Sequence, residues 1–394
     1  MVGSMDSEES PLSGYHRRSL LLSRGPTMSK KLPFKWLALG AASAMLLGAC
    51  VVQDDEDGTG SAVVDEGMDP AAGDVSVELS VDKASISQAE SVTVTVKLTN
   101  TTKRSIRLPA WYAPGEDLEE DLFLVTRSGQ PVEFTGPHYK RPALADEDYV
   151  TLGPNKSVTR TVTLSGFYDL TQTGNYTIQY AADMLTSVTR QAVSLDSNAV
   201  SLWIEGRANA PAPQFISAPG SQNIGSLGFN KCTVDQQTTL TQALGAASTM
   251  ANGASLYLGG NPAANPRYTT WFGAFSTNGW STAKNHFVAI KDAIDTKPIN
   301  FDCGCKKTYY AYVYPAQPYK VYVCKAFWAA PMTGTDSKGG TIIHELSHFD
   351  VVAGTDDWAY GQANAKSLAS SNPTRALNNA DNHEYFAENT PSLQ

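Results

Sequence analysis

Across residues 75–204 apolar and polar positions alternate with period two. Val75, Val77, Leu79 and Val81 alternate first, then Val92, Val94, Val96 and Leu98. Val158, Val162 and Leu164 follow, then Tyr176, Ile178 and Tyr180, and last Val200, Leu202 and Ile204. Such spacing predicts short strands. Thr93, Thr95, Thr159 and Thr161 are their polar partners and suit a solvated outer face. The expected architecture over 75–205 is an antiparallel, Ig-like β-sandwich. Residues 206–226 carry Pro211, Pro213 and Pro219 among Ala, Gly, Ser and Asn, which is linker composition. The pattern then changes. Residues 234–258 are Ala-rich and predict a helix despite Gly245 and Gly253, and residues 280–294 predict another, with Phe287, Ile290 and Ile294 on one stripe. Residues 309–314 and 321–327 read as strands joined by a turn near Pro315 and Pro318. Asp336 or Ser337 is placed to cap a further helix. The second half, 227–394, is therefore expected to be α+β, and the chain multidomain.

The first residues change the picture in one respect. From Met28 the chain reads Lys30, Lys31 and Lys35, then an apolar run over 36–47, then Leu47-Gly48-Ala49-Cys50. A positive stretch, an apolar stretch and small residues make an export signal over 28–50. The run is too short for a membrane-spanning helix. Its last four residues resemble a bacterial lipobox, which implies a lipid on Cys50 and a precursor held at the cell envelope. Residues 51–74, with Asp54, Asp55, Glu56 and Asp57, read as a flexible tether. Residues 1–27 fit nothing that precedes a signal peptide, so Met28 is the expected start. The 394 residues suffice for two domains. A net charge of -9 argues against nucleic acid as a partner.

The chemistry is concentrated near the end. His344-Glu345-Leu346-Ser347-His348 is H-E-x-x-H. On a helix, positions i and i+4 share a face, so both imidazoles can reach one metal ion while the Glu addresses a water beside it. Zinc accepts nitrogen ligands, and a catalytic site needs a third protein ligand and an open position. Val351 and Gly354 stand where a metzincin would have Gly and its third ligand, so that continuation is excluded. Asp350, Asp356, Asp357, Glu384 and Glu388 are the carboxylates in range. Gly354 can turn the chain after the helix, and local geometry alone does not separate Asp356 from Asp357.

Gly354-Thr355-Asp356-Asp357-Trp358-Ala359-Tyr360-Gly361 follows directly. H-E-x-x-H with G-T-x-D-x-x-Y-G behind it resembles the aspzincin metallopeptidases, the deuterolysin and peptidyl-Lys metallopeptidase family. The resemblance covers about residues 228–394 and implies a zincin-type domain with one Zn2+ per chain. It implies His344, His348 and Asp357 as zinc ligands, Glu345 as general base and Tyr360 as a hydroxyl supporting the transition state. It also implies disulfides Cys232–Cys303 and Cys305–Cys324, among the three pairings four cysteines allow. Residues 379–389, Asn-Ala-Asp-Asn-His-Glu-Tyr-Phe-Ala-Glu-Asn, resemble the end of the peptidyl-Lys subgroup. There the matching acids, Asp381 and Glu384, receive the lysine that follows the scissile bond. Two carboxylates in a desolvated pocket favour an ammonium.

The segment 267–273 is expected to be a packed aromatic loop, and His286 a histidine away from the metal. The 75–204 stretch shows no catalytic constellation. His138 is its only histidine, and the acidic run 116–121 reads as a solvated loop. Together these readings describe an exported zinc endopeptidase with protein or peptide substrates. It is made as a precursor with a sandwich propeptide, and its mature catalytic domain is released outside the cell. The competing reading is a surface-anchored binding protein with a vestigial peptidase domain.

Overall fold

The structure is a computed structural model that describes residues 67–115, 118–186, 192–208 and 227–394. The export signal, Cys50, residues 1–27 and most of the tether and linker lie outside the described residues.

The first half contains β1 (Val75–Ser80), β2 (Ser85–Ile86), β3 (Thr93–Asn100), β4 (Ile106–Pro109), β5 (Phe123–Arg127), β6 (Gln130–Pro131), β7 (His138–Lys140), β8 (Tyr149–Leu152), β9 (Ser157–Thr163), β10 (Gly174–Leu185) and β11 (Ala192–Ile204). One sheet has the order β1-β3-β9 and a second the order β2-β11-β10-β5-β6, while β4 pairs with β8. The period of two sets the register. Leu79 lies opposite Val96, and Val94 opposite Val162. All four are buried, whereas Thr159 and Thr161 on the other face are exposed. Ile178, Tyr180, Leu195 and Leu202 of the second sheet join the same core. Residues 67–74, expected in the tether, instead lie against this domain. Met68 N donates to Ser105 O at 3.0 Å, Arg107 N donates to Met68 O at 2.9 Å, and Asp74 pairs with Arg104 at 2.6 Å. A backbone partner and a cation bind what composition alone leaves loose.

The second half has its own apolar core. After β12 (Gly228–Asn230), Thr233 caps α1 (Val234–Gly259) with Gln236 in a reciprocal capping box. Leu240, Ala243, Leu244, Ala247, Ala251, Ala254 and Leu258 form its buried stripe. Next come α2 (Pro266–Phe272) and α3 (Thr277–Thr296), then β13 (Asn300–Asp302), β14 (Ala311–Val313) and β15 (Lys320–Val323). The chain ends in α4 (Lys325–Ala329), α5 (Lys338–His348), α6 (Gln362–Ser371), α7 (Pro373–Ala376) and α8 (Ala380–Glu388). Small residues bring α5 against α1: a Cβ on Gly339 would stand 3.1 Å from Ala246 Cβ. Disulfides Cys232–Cys303 and Cys305–Cys324 are both formed, the pairing that the resemblance implies.

Three expectations are corrected. Segment 267–273 is the helix α2 and not a loop, with Pro266 at its start and Gly273 at φ +77° closing it. The strand expected over 321–327 stops at Val323, and Phe327 belongs to α4. Most consequentially, β7 leaves the N-terminal sheets altogether. The order of the catalytic sheet is β12-β13-β15-β14-β7. β12, β13 and β15 run parallel, β14 runs antiparallel to β15, and β7 runs antiparallel to β14. A strand of the first half thus covers the edge of the second half's sheet.

Candidate metal centre and substrate groove

Ser337, not Asp336, caps α5. Its Oγ accepts from Gly340 N at 2.9 Å, and the whole helix is buried. Buried polar side chains on it therefore need partners. His344 and His348 turn the same way, with their Nε2 atoms 3.1 Å apart. Gly354, at φ +56°, then reverses the chain, and Thr355 N reaches back to Ser347 O at 3.1 Å. Asp357 arrives beneath both rings: Oδ1 is 3.3 Å from His344 Nε2, and Oδ2 is 3.5 Å from His348 Nε2. Tetrahedral zinc with bonds of about 2.0–2.1 Å separates its ligand atoms by roughly 3.3–3.4 Å. The three groups fit that spacing. Asp356 faces elsewhere, its Oδ2 accepting from Asn378 Nδ2 at 2.8 Å. Asp357, the acid that the resemblance implies, is the one that lies beside both rings.

Outer partners fix both rings. His348 Nδ1 lies 2.7 Å from Thr355 O, and His344 Nδ1 lies 2.9 Å from Asp381 Oδ1. A proton on each Nδ1 leaves Nε2 free to bind a metal. Burial pushes His348 down to about 3. Burial works to raise the Asp357 carboxyl, but His348 and His344 outweigh it and hold it below the usual range. Glu345 is fully buried, and burial raises its carboxyl well above the ordinary range. The backbone amide of Lys140 faces that carboxylate and opposes the rise, yet neither oxygen has a well-formed hydrogen bond. A buried carboxylate left open at a metal-sized cluster of ligands suits a group that exchanges protons.

Asp381 and Glu384, three positions apart on α8, share one buried face. The ammonium of Lys140 lies 2.9 Å from Asp381 Oδ1 and 2.9 Å from Glu384 Oε2. Asp336 Oδ1 stands 3.1 Å away and Tyr385 Oη 3.4 Å. Lys140 is fully buried. Burial disfavours its charge, but Asp381 and Glu384 outweigh that and keep it protonated. The pocket expected to receive lysine holds one, supplied by the N-terminal half.

The rest of β7 runs along β14 beside the histidine pair. His138 lies opposite Val313, Tyr139 opposite Tyr312 and Lys140 opposite Ala311. Tyr139 N donates to Asp357 Oδ2 at 3.2 Å. The rings of His138 and His348 are 4.8 Å apart. Arg141 hydrogen-bonds Glu120 and the Tyr360 hydroxyl, and that hydroxyl donates to Glu120 Oε1 at 3.0 Å. Glu119 takes Lys307 and accepts from Tyr309 Oη at 2.6 Å. These contacts overturn two expectations. The 75–204 stretch does bring residues to the site, and Glu119 and Glu120 are bound groups rather than a solvated loop. A strand of three residues has no period to detect, and the partners of Glu119 and Glu120 lie far off in sequence. His286 is as expected: its Nδ1 lies 2.9 Å from His383 Nε2, apart from the metal centre.

A helix-borne histidine pair, a returning carboxylate and a buried acid beside them define a metallopeptidase of the zincin class. A family model described as lysine-specific metallo-endopeptidase, the aspzincin family, matches residues 257–388. The chain is 49% identical over 317 residues to an extracellular protease of Aeromonas hydrophila, covering 77% of this chain and 89% of that protein. It is 36% identical over 326 residues to a peptidyl-Lys metalloendopeptidase of Armillaria mellea, covering 78% and 90%. Among solved structures, a zinc peptidase from Grifola frondosa is 47% identical, covering 41% of this chain and 100% of that one, with a TM-score of 0.40. The chain belongs to the aspzincin metallo-endopeptidases, and it is a zinc metalloendopeptidase.

Proposed function

We propose that this chain is the precursor of an exported endopeptidase that cuts on the amino side of lysine. The N-terminal half, read as an Ig-like sandwich, serves as its propeptide. One observation carries the reading. Lys140 sits between Asp381 and Glu384 while its backbone pairs with the β14 edge beside the histidine pair. An extended peptide pairing with that edge is held by sequence-tolerant backbone bonds, and the pocket supplies specificity.

In this reading His344, His348 and Asp357 hold one zinc ion. Zinc, when bound, supplies a Lewis acid for the scissile carbonyl and lowers the pKa of water. Glu345 takes the proton of the attacking water and passes it to the leaving amine. Tyr360 donates to the oxygen on which charge develops. Asp381 and Glu384 take the lysine ammonium. Tyr360 is engaged by Arg141 and Glu120 in the intact chain, which supports departure of the N-terminal half before turnover. Cutting in the linker 206–226 frees the catalytic half, and Cys50 anchors the precursor by lipid until then. The extracellular relative supports export.

Mass spectrometry of the matured protein and of a proteome it has digested tests these points together. We expect an N-terminus near residues 220–230, no lipid, loss of cleavage on chelation with recovery on adding zinc, and lysine enriched immediately after the cut. Digestion without lysine enrichment would remove the specificity assignment. Activity confined to the full-length, membrane-bound chain would remove the propeptide assignment.

A further inference from the structure

We propose that His138 closes the metal centre of the intact chain as a fourth protein ligand, making β7 an inhibitor where it would otherwise be a substrate. The inference rests on the metal and pocket roles proposed above. It begins from strand geometry. Side chains at i and i+2 of a strand share a face. Lys140 points down into the acidic pocket, so His138 points down on the same side, toward the histidine pair. Tyr139 turns the other way and packs on Tyr309 and Tyr312.

His138, His348 and Asp357 each offer a ligand atom, all within 4.8 Å of one another. Tetrahedral zinc needs about 3.3–3.4 Å, so the His138 ring has only to swing inward. The other three positions of a tetrahedron are taken by His344, His348 and Asp357. A third imidazole, that of His138, would stand where a catalytic site keeps its open position.

That placement explains a conflict within the strand. The Tyr139–Lys140 bond lies in the register of a bond to be cut. Lysine follows it, the pocket is filled, and β7 pairs antiparallel with the sheet edge. Hydrolysis there would add water oxygen to the Tyr139 carbonyl carbon and break the bond to Lys140 nitrogen. Glu345 would move a proton from that water to the nitrogen. An imidazole in the fourth position denies water its place, and the bond survives.

The test uses the full-length chain in a Glu345→Gln background, loaded with zinc or cobalt(II). X-ray absorption should count three imidazoles with His138 present and two in His138→Ala. The cobalt(II) visible spectrum should change with it. Release of zinc to a chelator should quicken at least about tenfold, the scale that losing even an outer partner costs. His138→Gln, which keeps bulk, should behave like the alanine variant. With Glu345 restored, the His138→Ala chain should cut itself between Tyr139 and Lys140. Metal bound with equal imidazole counts and unchanged spectra would overturn the fourth ligand and leave the proposed function standing. Failure of every form to bind metal would overturn both.

Discussion

Asp381 stands 2.9 Å from His344 Nδ1 and 2.9 Å from the Lys140 ammonium, so one carboxylate joins the metal centre to the lysine pocket. Burial works to raise it, but Lys140 and His344 outweigh that and hold it ionised. Glu384 is the weaker partner of His344, at 3.4 Å. The two acids should therefore separate on mutation. Asp381→Asn should lose metal affinity by about 10–100-fold as well as lysine preference. Glu384→Gln should keep most metal affinity and lose roughly 1.5–3 kcal/mol toward lysine substrates. Metal titration beside a kcat/KM comparison of lysine and alanine peptides measures both. Equal metal affinity in the two variants would refute the linking role of Asp381.

The histidine pair and its carboxylate give a second expectation. Glu345 offers no atom to the ligand cluster, so Glu345→Gln should keep metal while turnover falls by about 10²–10⁴, the usual weight of a general base. Asp357→Ala should lose metal. Asp356→Ala should keep it, because Asp356 is bound to Asn378 instead. Metal content by mass spectrometry decides this. Loss of metal from Asp356→Ala with retention in Asp357→Ala would reverse the assignment.

The histidine pair of the candidate centre was legible because His344 and His348 are one helical turn apart on one face. Asp357, Asp381 and Glu384 were singled out by the motifs that resemble the family, not by spacing alone. What failed to show has equally physical reasons. The pairing of β7 with β14 joins residues over 170 positions apart, such as Tyr139 and Tyr312. No periodicity reports such a contact. Short apolar runs are ambiguous between strand and helix, which explains the overrun past Val323. The helix at Arg267 had its start and stop in Pro266 and Gly273, and its aromatic content masked them.

Lys140 provides the third expectation. A cation with no exposure is paired with two carboxylates that have none either. Removing one member of a buried pair costs about 3–5 kcal/mol. Lys140→Met should therefore loosen the hold of the N-terminal half on the catalytic half. After proteolysis of the linker, the halves of the parent should stay together longer in gel filtration than those of the variant. The nicked variant should also be the more active on lysine peptides. Indistinguishable dissociation would mean that Arg141 and the β7 backbone carry the association.

Glu388 gives the last expectation, through pH. Its Oε1 accepts from Ser337 N at 2.8 Å and from Ser337 Oγ at 2.7 Å, at the start of the helix that carries both histidines. Burial, and then the charge of Glu384, pushes its carboxyl from an ordinary 4.5 up to about 8. The folded chain thus keeps a proton that the unfolded chain has released across this interval. Where the folded state binds more protons, stability falls as pH rises. The contribution is fully present below about 4.5, declines through the interval and is lost above about 8. Glu388→Gln cannot ionise, and its side-chain oxygen can still accept from Ser337. Denaturant unfolding of parent and variant between pH 5 and 9 should show the parent losing stability relative to the variant as pH rises, with a level difference beyond 8. Other titrating groups are common to both chains and cancel in the comparison. A difference that stays constant, or that turns in the parent's favour with rising pH, would mean that Glu388 is already ionised at the foot of α5.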